Sequence, residues 1–155
     1  MATEIDRIAR ALEKAFDKQP WYGSSVMTTL REIDASIVQR RAGQAHTIIE
    51  LVLHMIAWRT FVTKRLTGDI EYQVSDELNF PKPSTAPDAW SKALTSLEEN
   101  QKALVGAIRK FPLEKLDELV PAASHKYTWY TLLHGIIHHD VYHLGQIALL
   151  KKAFQ

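Results

Sequence analysis

Four long segments of the chain carry the apolar spacing of an α-helix, and each begins at a threonine that can cap one. No alternating run of apolar and polar residues is closed by an Asn-Gly or Asp-Gly turn, so no β-hairpin is predicted. The four predicted helices span residues 3–17, 47–66, 85–111 and 128–154. Four long helices joined by connections of medium length predict an all-α fold, a four-helix bundle.

Shorter elements are predicted between the long helices. Residues 24–40 are expected to hold one or two short helices, 68–84 to form a loop, and 111–126 to include one helical turn near 113–119. Three of the long helices are expected to open with a threonine followed three residues later by an acidic residue, which is a capping pattern. These pairs are Thr3 with Asp6, Thr47 with Glu50, and Thr85 with Asp88. The longer connections allow a helix order other than simple up-and-down.

The length, charge and composition of the chain limit its class. With 155 residues it is expected to form a single domain, 1–155, that buries a full core. A formal net charge of +1 with scattered Lys and Arg argues against a nucleic-acid partner. The first residues lack the apolar core of a signal peptide, and no apolar run approaches the roughly 18 residues of a membrane span, so a cytoplasmic protein is expected. The absence of cysteine excludes disulfides and thiolate ligands from this chain.

The last predicted helix carries two pairs of histidines with the same spacing and opposite surroundings. At about 100° per residue, His139 lies roughly 40° from His143, in the middle of the apolar stripe that must face the core. His134 and His138 lie on the opposite side and are expected at the surface or in an interface. A polar ring in a core costs about 1–3 kcal/mol if it is left unpaired. Two histidines four residues apart can instead share one metal ion.

A third inward-facing histidine lies on the second predicted helix. His54 shares its face with Trp58, Phe61 and Arg65, while apolar residues cover much of the rest of that helix. A helix that is apolar on nearly all sides is buried on more than one face, which in a bundle this small suggests a second subunit. His54 is therefore a candidate third ligand. The alternative is that the histidines are hydrogen-bonded core residues and hold no metal.

Other polar residues near this predicted site have structural explanations as well as functional ones. Glu50 is a candidate base or ligand, but it also fits the capping box of its own helix. Asp140 is a candidate base, a hydrogen-bond partner for a ligand histidine, a solvated charge or half of a salt bridge. His125, in the connection before the last helix, is a third candidate base. Trp58 and Trp129 are the tryptophans placed to line a pocket.

The sequence resembles the DinB/YfiT-like superfamily over most of its length. The similarity lies in HTIIELVLHMIAWRTFVTKRLTG, in LLHGIIHHDVYHLGQIALLKK and in the early segment PWYGSS. Its most specific part is the HxxxHxGQ pattern that begins at His139. The resemblance implies a four-helix bundle, often dimeric, with a metal site formed by His54, His139 and His143. Many members carry a histidine after the tryptophan of the early segment, where this chain has Tyr22.

Three neutral imidazoles would leave a divalent ion with an open position, which is typical of a catalytic site. Zn²⁺ or Ni²⁺ is the first expectation, although ligand type alone does not choose the metal. Such an ion can activate water in a hydrolase, or the sulfur of a small thiol cosubstrate in a transferase, and the superfamily includes thiol-dependent S-transferases. The alternative is a non-catalytic metal-binding or stress-response dimer. A homodimer that acts on a small molecule is expected, with specificity from residues 21–25, 70–84 and 120–127.

Overall fold

The computed structural model describes all 155 residues and consists of helices, connections and one isolated β-bridge. Its helices are α1 (Glu4–Asp17), α2 (Val26–Arg31), α3 (Ile48–Leu66), α4 (Asp76–Asn79), α5 (Ala89–Lys110) and α6 (Trp129–Phe154). Single 3₁₀ turns lie at Ala35–Ile37 and Leu113–Lys115. The all-α prediction is confirmed, as are the short helical elements expected near 24–40 and 113–119. None of the helices combines the length and the apolar content required to cross a bilayer.

The caps predicted for α1, α3 and α6 are present. At α3 the Thr47 hydroxyl accepts from the Glu50 N–H at 3.3 Å, and the Glu50 carboxylate accepts from the Thr47 N–H at 2.8 Å. Thr3 and Asp6 form the same reciprocal pair at α1. Thr128 caps α6 by accepting from the Thr131 N–H at 3.2 Å. These contacts satisfy N–H groups that a helix start leaves without partners, and so they fix where each helix begins.

The predicted start of the third long helix at Thr85 is wrong, because α5 begins at Ala89. Asp88 occupies the N-cap position, but its side chain caps no N–H group and lies 2.7 Å from Lys92 Nζ instead. The residue before a proline is pushed away from helical dihedral angles. Pro87 therefore disfavours a helical conformation at Ala86, so a helix that starts at Thr85 is not formed.

The connection predicted as a loop at 68–84 contains the one-turn helix α4. Gly68, with a φ of 97°, ends α3 in a conformation that favours glycine. Ser75 then caps α4 by accepting from the Leu78 N–H at 3.3 Å. The short helix places its last residue, Asn79, against α3, where it contacts the candidate site.

The four long helices pack around two apolar clusters. Along α3 and α5 the residues of the first cluster precede those of the second, whereas along α1 and α6 the order is reversed. Helices α3 and α5 therefore run in the same direction, opposite to α1 and α6. Both α1 and α3 contact α5 and α6. The long connection that contains α4 permits this order, which departs from simple up-and-down as the sequence allowed.

A layer of polar side chains separates the two apolar clusters. Its members are His54 and Arg59 on α3, Gln101 on α5, and His139, Asp140 and His143 on α6. All of them except His139 are buried. Because buried polar groups need hydrogen-bond partners, the side chains of this layer must hydrogen-bond one another or bind a ligand or an ion.

Candidate metal centre

The three histidines predicted as ligands meet between α3 and α6. Nε2 of His139 lies 3.0 Å from Nε2 of His54 and 3.2 Å from Nε2 of His143. One ligand atom from each residue lies within 4.8 Å of the other two. Two nitrogens bound to one tetrahedral Zn²⁺ at ~2.0–2.1 Å are about 3.3–3.4 Å apart. The three imidazoles are therefore close enough to hold a metal ion.

Outer hydrogen bonds determine which nitrogen of two of these histidines faces the others. Nδ1–H of His54 donates to the backbone carbonyl of Asn79 at 2.6 Å, and Nδ1–H of His143 donates to Oε1 of Gln146 at 2.6 Å. Because a carbonyl oxygen can only accept, each Nδ1 carries the proton, and each neutral ring presents a lone pair at Nε2. Metal-binding histidines are commonly oriented by outer partners of this kind.

The three imidazole rings carry too few N–H groups to make hydrogen bonds of both Nε2–Nε2 contacts between them. His139 can carry at most one N–H at Nε2, while lone pairs of His54 and His143 both lie within hydrogen-bond distance of that atom. Nδ1 of His139 is buried and has no hydrogen-bond partner. A cation would accept a lone pair from all three rings, so the donor set fits a metal ion.

Burial keeps the three imidazoles neutral. Desolvation is the main cause that lowers the pKa of His139 to about 3, and the neighbouring histidines act in the same direction. Burial also lowers the pKa values of His54 and His143, although their outer hydrogen bonds act against it. Metal binding requires the neutral ring, so few protons have to leave this site near neutral pH.

Two residues at the end of α4, Asn79 and Phe80, hold His54 in place, and neither was predicted from the sequence to have a role. The Asn79 side chain accepts from Trp58 Nε1–H at 2.9 Å while its backbone carbonyl binds His54. The Phe80 ring stacks on two histidine rings. Its centroid lies 4.1 Å from that of His54 and 3.7 Å from that of His46. A capping serine followed by two acidic residues was the available sequence signal for this short helix.

The two carboxylates considered as bases are engaged with arginines. Asp140 accepts from Arg59 Nε at 3.0 and 3.1 Å and from a terminal nitrogen of the same guanidinium at 2.6 Å, which selects the salt-bridge alternative. Gln101 accepts from the remaining terminal nitrogen at 2.6 Å. Glu50 pairs with Arg41 in addition to its capping role. Neither carboxylate hydrogen-bonds any of the three candidate ligands.

The remaining aromatic and histidine candidates differ in their surroundings. His138 is exposed and His134 is partly exposed, as expected for the outer side of α6. Trp58 lines a cavity beside the candidate metal centre, together with the loop residue His125. Trp129, which was also expected to line a pocket, is buried and does not line this cavity.

Tyr22 lines a separate cavity of about 720 Å³ between α2 and α6, together with Glu32 and Lys151. None of the three candidate ligands lines that cavity, although it is the larger of the two. The position at which the sequence departs from many members of that family therefore lines a different cavity from the one beside the candidate centre.

Comparison with known proteins identifies the family to which the chain belongs. Residues 23–147 match the model of the DinB superfamily. Comparisons with curated proteins and with solved structures found no significant match. The matched region contains the three histidines and the outer partners of His54 and His143. Because the match covers most of the sequence, the resemblance is confirmed, and the chain belongs to the DinB superfamily.

Proposed function

We propose that His54, His139 and His143 hold one divalent metal ion with an open position, and that the protein is an enzyme acting on a small molecule. The convergence of three Nε2 atoms, two of them oriented by outer hydrogen bonds, carries this proposal. No fourth histidine, aspartate or glutamate joins the group. Three protein ligands with a free position are typical of catalytic sites, whereas structural zinc sites have four.

Zn²⁺ or Ni²⁺ is the proposed metal, because imidazole ligands suit both. When bound, the ion supplies Lewis-acid chemistry that can serve a hydrolase or a thiol S-transferase. The chain contains no cysteine, so the thiol of a transferase reaction must come from a small cosubstrate.

The residues around the ligands orient them and limit their access to water. Asn79 and Gln146 fix two ring orientations, and Phe80 covers one face of His54. Behind the ligands, the fully buried pair of Arg59 and Asp140 joins α3 to α6. This pair keeps the two ligand-bearing helices in register, which a site with ligands from both helices requires.

The four long helices are inferred to form one bundle domain of the DinB type. Support comes from the contacts of α1 and α3 with both α5 and α6. The two apolar clusters also span all four of these helices.

A homodimer is proposed to form through the outer face of α6. Tyr142 and Leu149 share one face of this helix and keep 65% and 71% of their surface exposed. Gly145 lies between them, and a Cβ there would meet no atom within 4 Å. Leu149→Glu is expected to convert a dimer to a monomer in analytical ultracentrifugation without changing metal content. A wild-type protein that sediments as a monomer would contradict this part of the proposal.

The enzymatic proposal is tested by screens for hydrolysis and for thiol transfer on protein loaded with Zn²⁺ or Ni²⁺. Turnover is expected in the wild type, and it should fall to the background rate in His54→Ala. Lys102→Ala, which alters an exposed residue of α5, is the control and should keep full turnover. Turnover that survives in His54→Ala would refute the role of the metal centre. A metal-loaded wild type inactive in both screens would favour the non-catalytic alternative.

A further inference from the structure

We propose that a small uncharged cavity beside His139 binds the apolar, ring-sized part of the substrate. The cavity has a volume of about 260 Å³ and lies between α3 and α6. Its inner wall consists of Trp58, Phe61, Val62, Leu132, Ile136 and His139. The identification of the occupant as a substrate rests on the proposed function. The binding of an apolar ring in this cavity does not depend on it.

The cavity adjoins the candidate metal centre through two shared residues. His139 belongs to the group of candidate ligands and also lines the cavity. Trp58 lines the cavity with its ring centroid 6.1 Å from that of His139. The Nε1–H of Trp58 also binds Asn79, whose carbonyl orients His54. A molecule in the cavity therefore lies against one candidate ligand and against the residue that helps to position another.

The lining chemistry selects an uncharged occupant. No aspartate, glutamate, lysine or arginine lines the cavity. Phe61, Val62 and Ile136 are buried, so a charged group placed against them would lose its hydration and find no partner. Trp58 and Phe61 offer aromatic faces and edges to a ring. The volume is below the roughly 300–1,000 Å³ of sites for drug-sized ligands, so a single ring fits better than a large molecule.

The mouth of the cavity is formed by a loop that the fold holds in place. His125 and Tyr127 of this loop line the opening. The buried Arg65 donates to the carbonyl of Pro121 at 2.7 Å, and the Val120 N–H donates to the carbonyl of Tyr127 at 2.9 Å. These bonds fix Pro121 and Tyr127 at the two ends of the loop segment around the opening, and small-molecule sites are usually largely pre-formed.

Two glycines with free space around their Cα atoms allow ligand binding in the cavity to be tested without a change in the core. Gly135 lines the cavity on α6, and a Cβ there would meet no atom within 4 Å. Gly135→Leu places a side chain at the opening, and leucine favours the helix more than glycine does. Gly106→Leu on α5 is the matched control, because a Cβ there is equally free and the residue does not line this cavity.

Binding is measured on chelator-treated protein by NMR titration of the Trp58 indole N–H with benzyl alcohol, benzoate and benzylammonium. Benzyl alcohol is expected to bind the wild type and Gly106→Leu alike. Its affinity should fall at least about tenfold in Gly135→Leu. The two charged probes should bind the wild type at least about tenfold more weakly, because the cavity lining contains no Asp, Glu, Lys or Arg to pair with their charge. Equal binding of all three probes, or unaltered binding in Gly135→Leu, would overturn the inference.

The two proposals fail in distinguishable ways. Metal content is measured on the same preparations before the chelator is added. A protein that holds metal but binds no benzyl alcohol refutes the cavity and leaves the metal centre standing. A protein that binds benzyl alcohol selectively but holds no metal supports the cavity while the proposed function fails. The comparison of the three probes needs no variant, so it remains decisive even if Gly135→Leu does not fold.

Discussion

Replacing Asp140 by alanine is expected to lower the free energy of unfolding by about 3–5 kcal/mol. Its carboxylate accepts three hydrogen bonds from Arg59 at 2.6–3.1 Å, and both side chains are inaccessible to solvent. Without it, the guanidinium charge would remain in the core with only the side-chain oxygen of Gln101 as a hydrogen-bond partner. Urea unfolding of the metal-free wild type and of the variant measures the difference.

Two further variants distinguish the contribution of this buried ion pair to stability from that of an exposed ion pair. Glu98→Ala breaks the exposed pair with Arg31 and is expected to cost less than about 1 kcal/mol. The double variant Arg59→Met with Asp140→Leu is expected to be more stable than Asp140→Ala, because it leaves no unpaired charge. If Asp140→Ala were as stable as Glu98→Ala, the pair would not hold the two ligand-bearing helices together.

His143→Ala is expected to weaken Zn²⁺ binding more than Gln146→Ala does. The histidine is a proposed ligand, whereas the glutamine only orients it through Nδ1 at 2.6 Å. Loss of an outer partner typically reduces metal affinity about 10–100-fold, and loss of one of three ligands should exceed that range. Competition with a chromophoric chelator measures both affinities.

His138→Ala is the matched control for this comparison. It removes an exposed histidine from the same helix, five residues before His143 and on the outer side. Its affinity for Zn²⁺ should equal that of the wild type. Equal affinities in His138→Ala and His143→Ala would remove His143 from the set of ligands.

The candidate ligands could be predicted because a helix fixes the direction of its side chains locally. The caps at Thr47 and Thr128 set where α3 and α6 begin, and periodicity then places His54, His139 and His143 on inward faces. Both helices are long, which makes their periodic pattern clear. The distances between the histidines depend on packing of α3 against α6, and only the structure supplies them.

The partners of these residues could not be predicted, because they come from distant parts of the chain. His54 is bound by a backbone carbonyl 25 residues away, and such a carbonyl is present at every position of a sequence. The partner of Asp140 is 81 residues away, and periodicity identifies a face of a helix but not what contacts it. Four alternatives therefore remained for Asp140 until its contact with Arg59 was seen.

The central claim is tested most directly by elemental analysis of untagged protein purified without chelator, together with His54→Ala. The site predicts about one Zn²⁺ or Ni²⁺ per wild-type chain, and loss of that ion in a folded His54→Ala protein. A wild type that contains no metal and takes up neither ion on incubation would contradict the account, and the buried histidines would then serve packing alone.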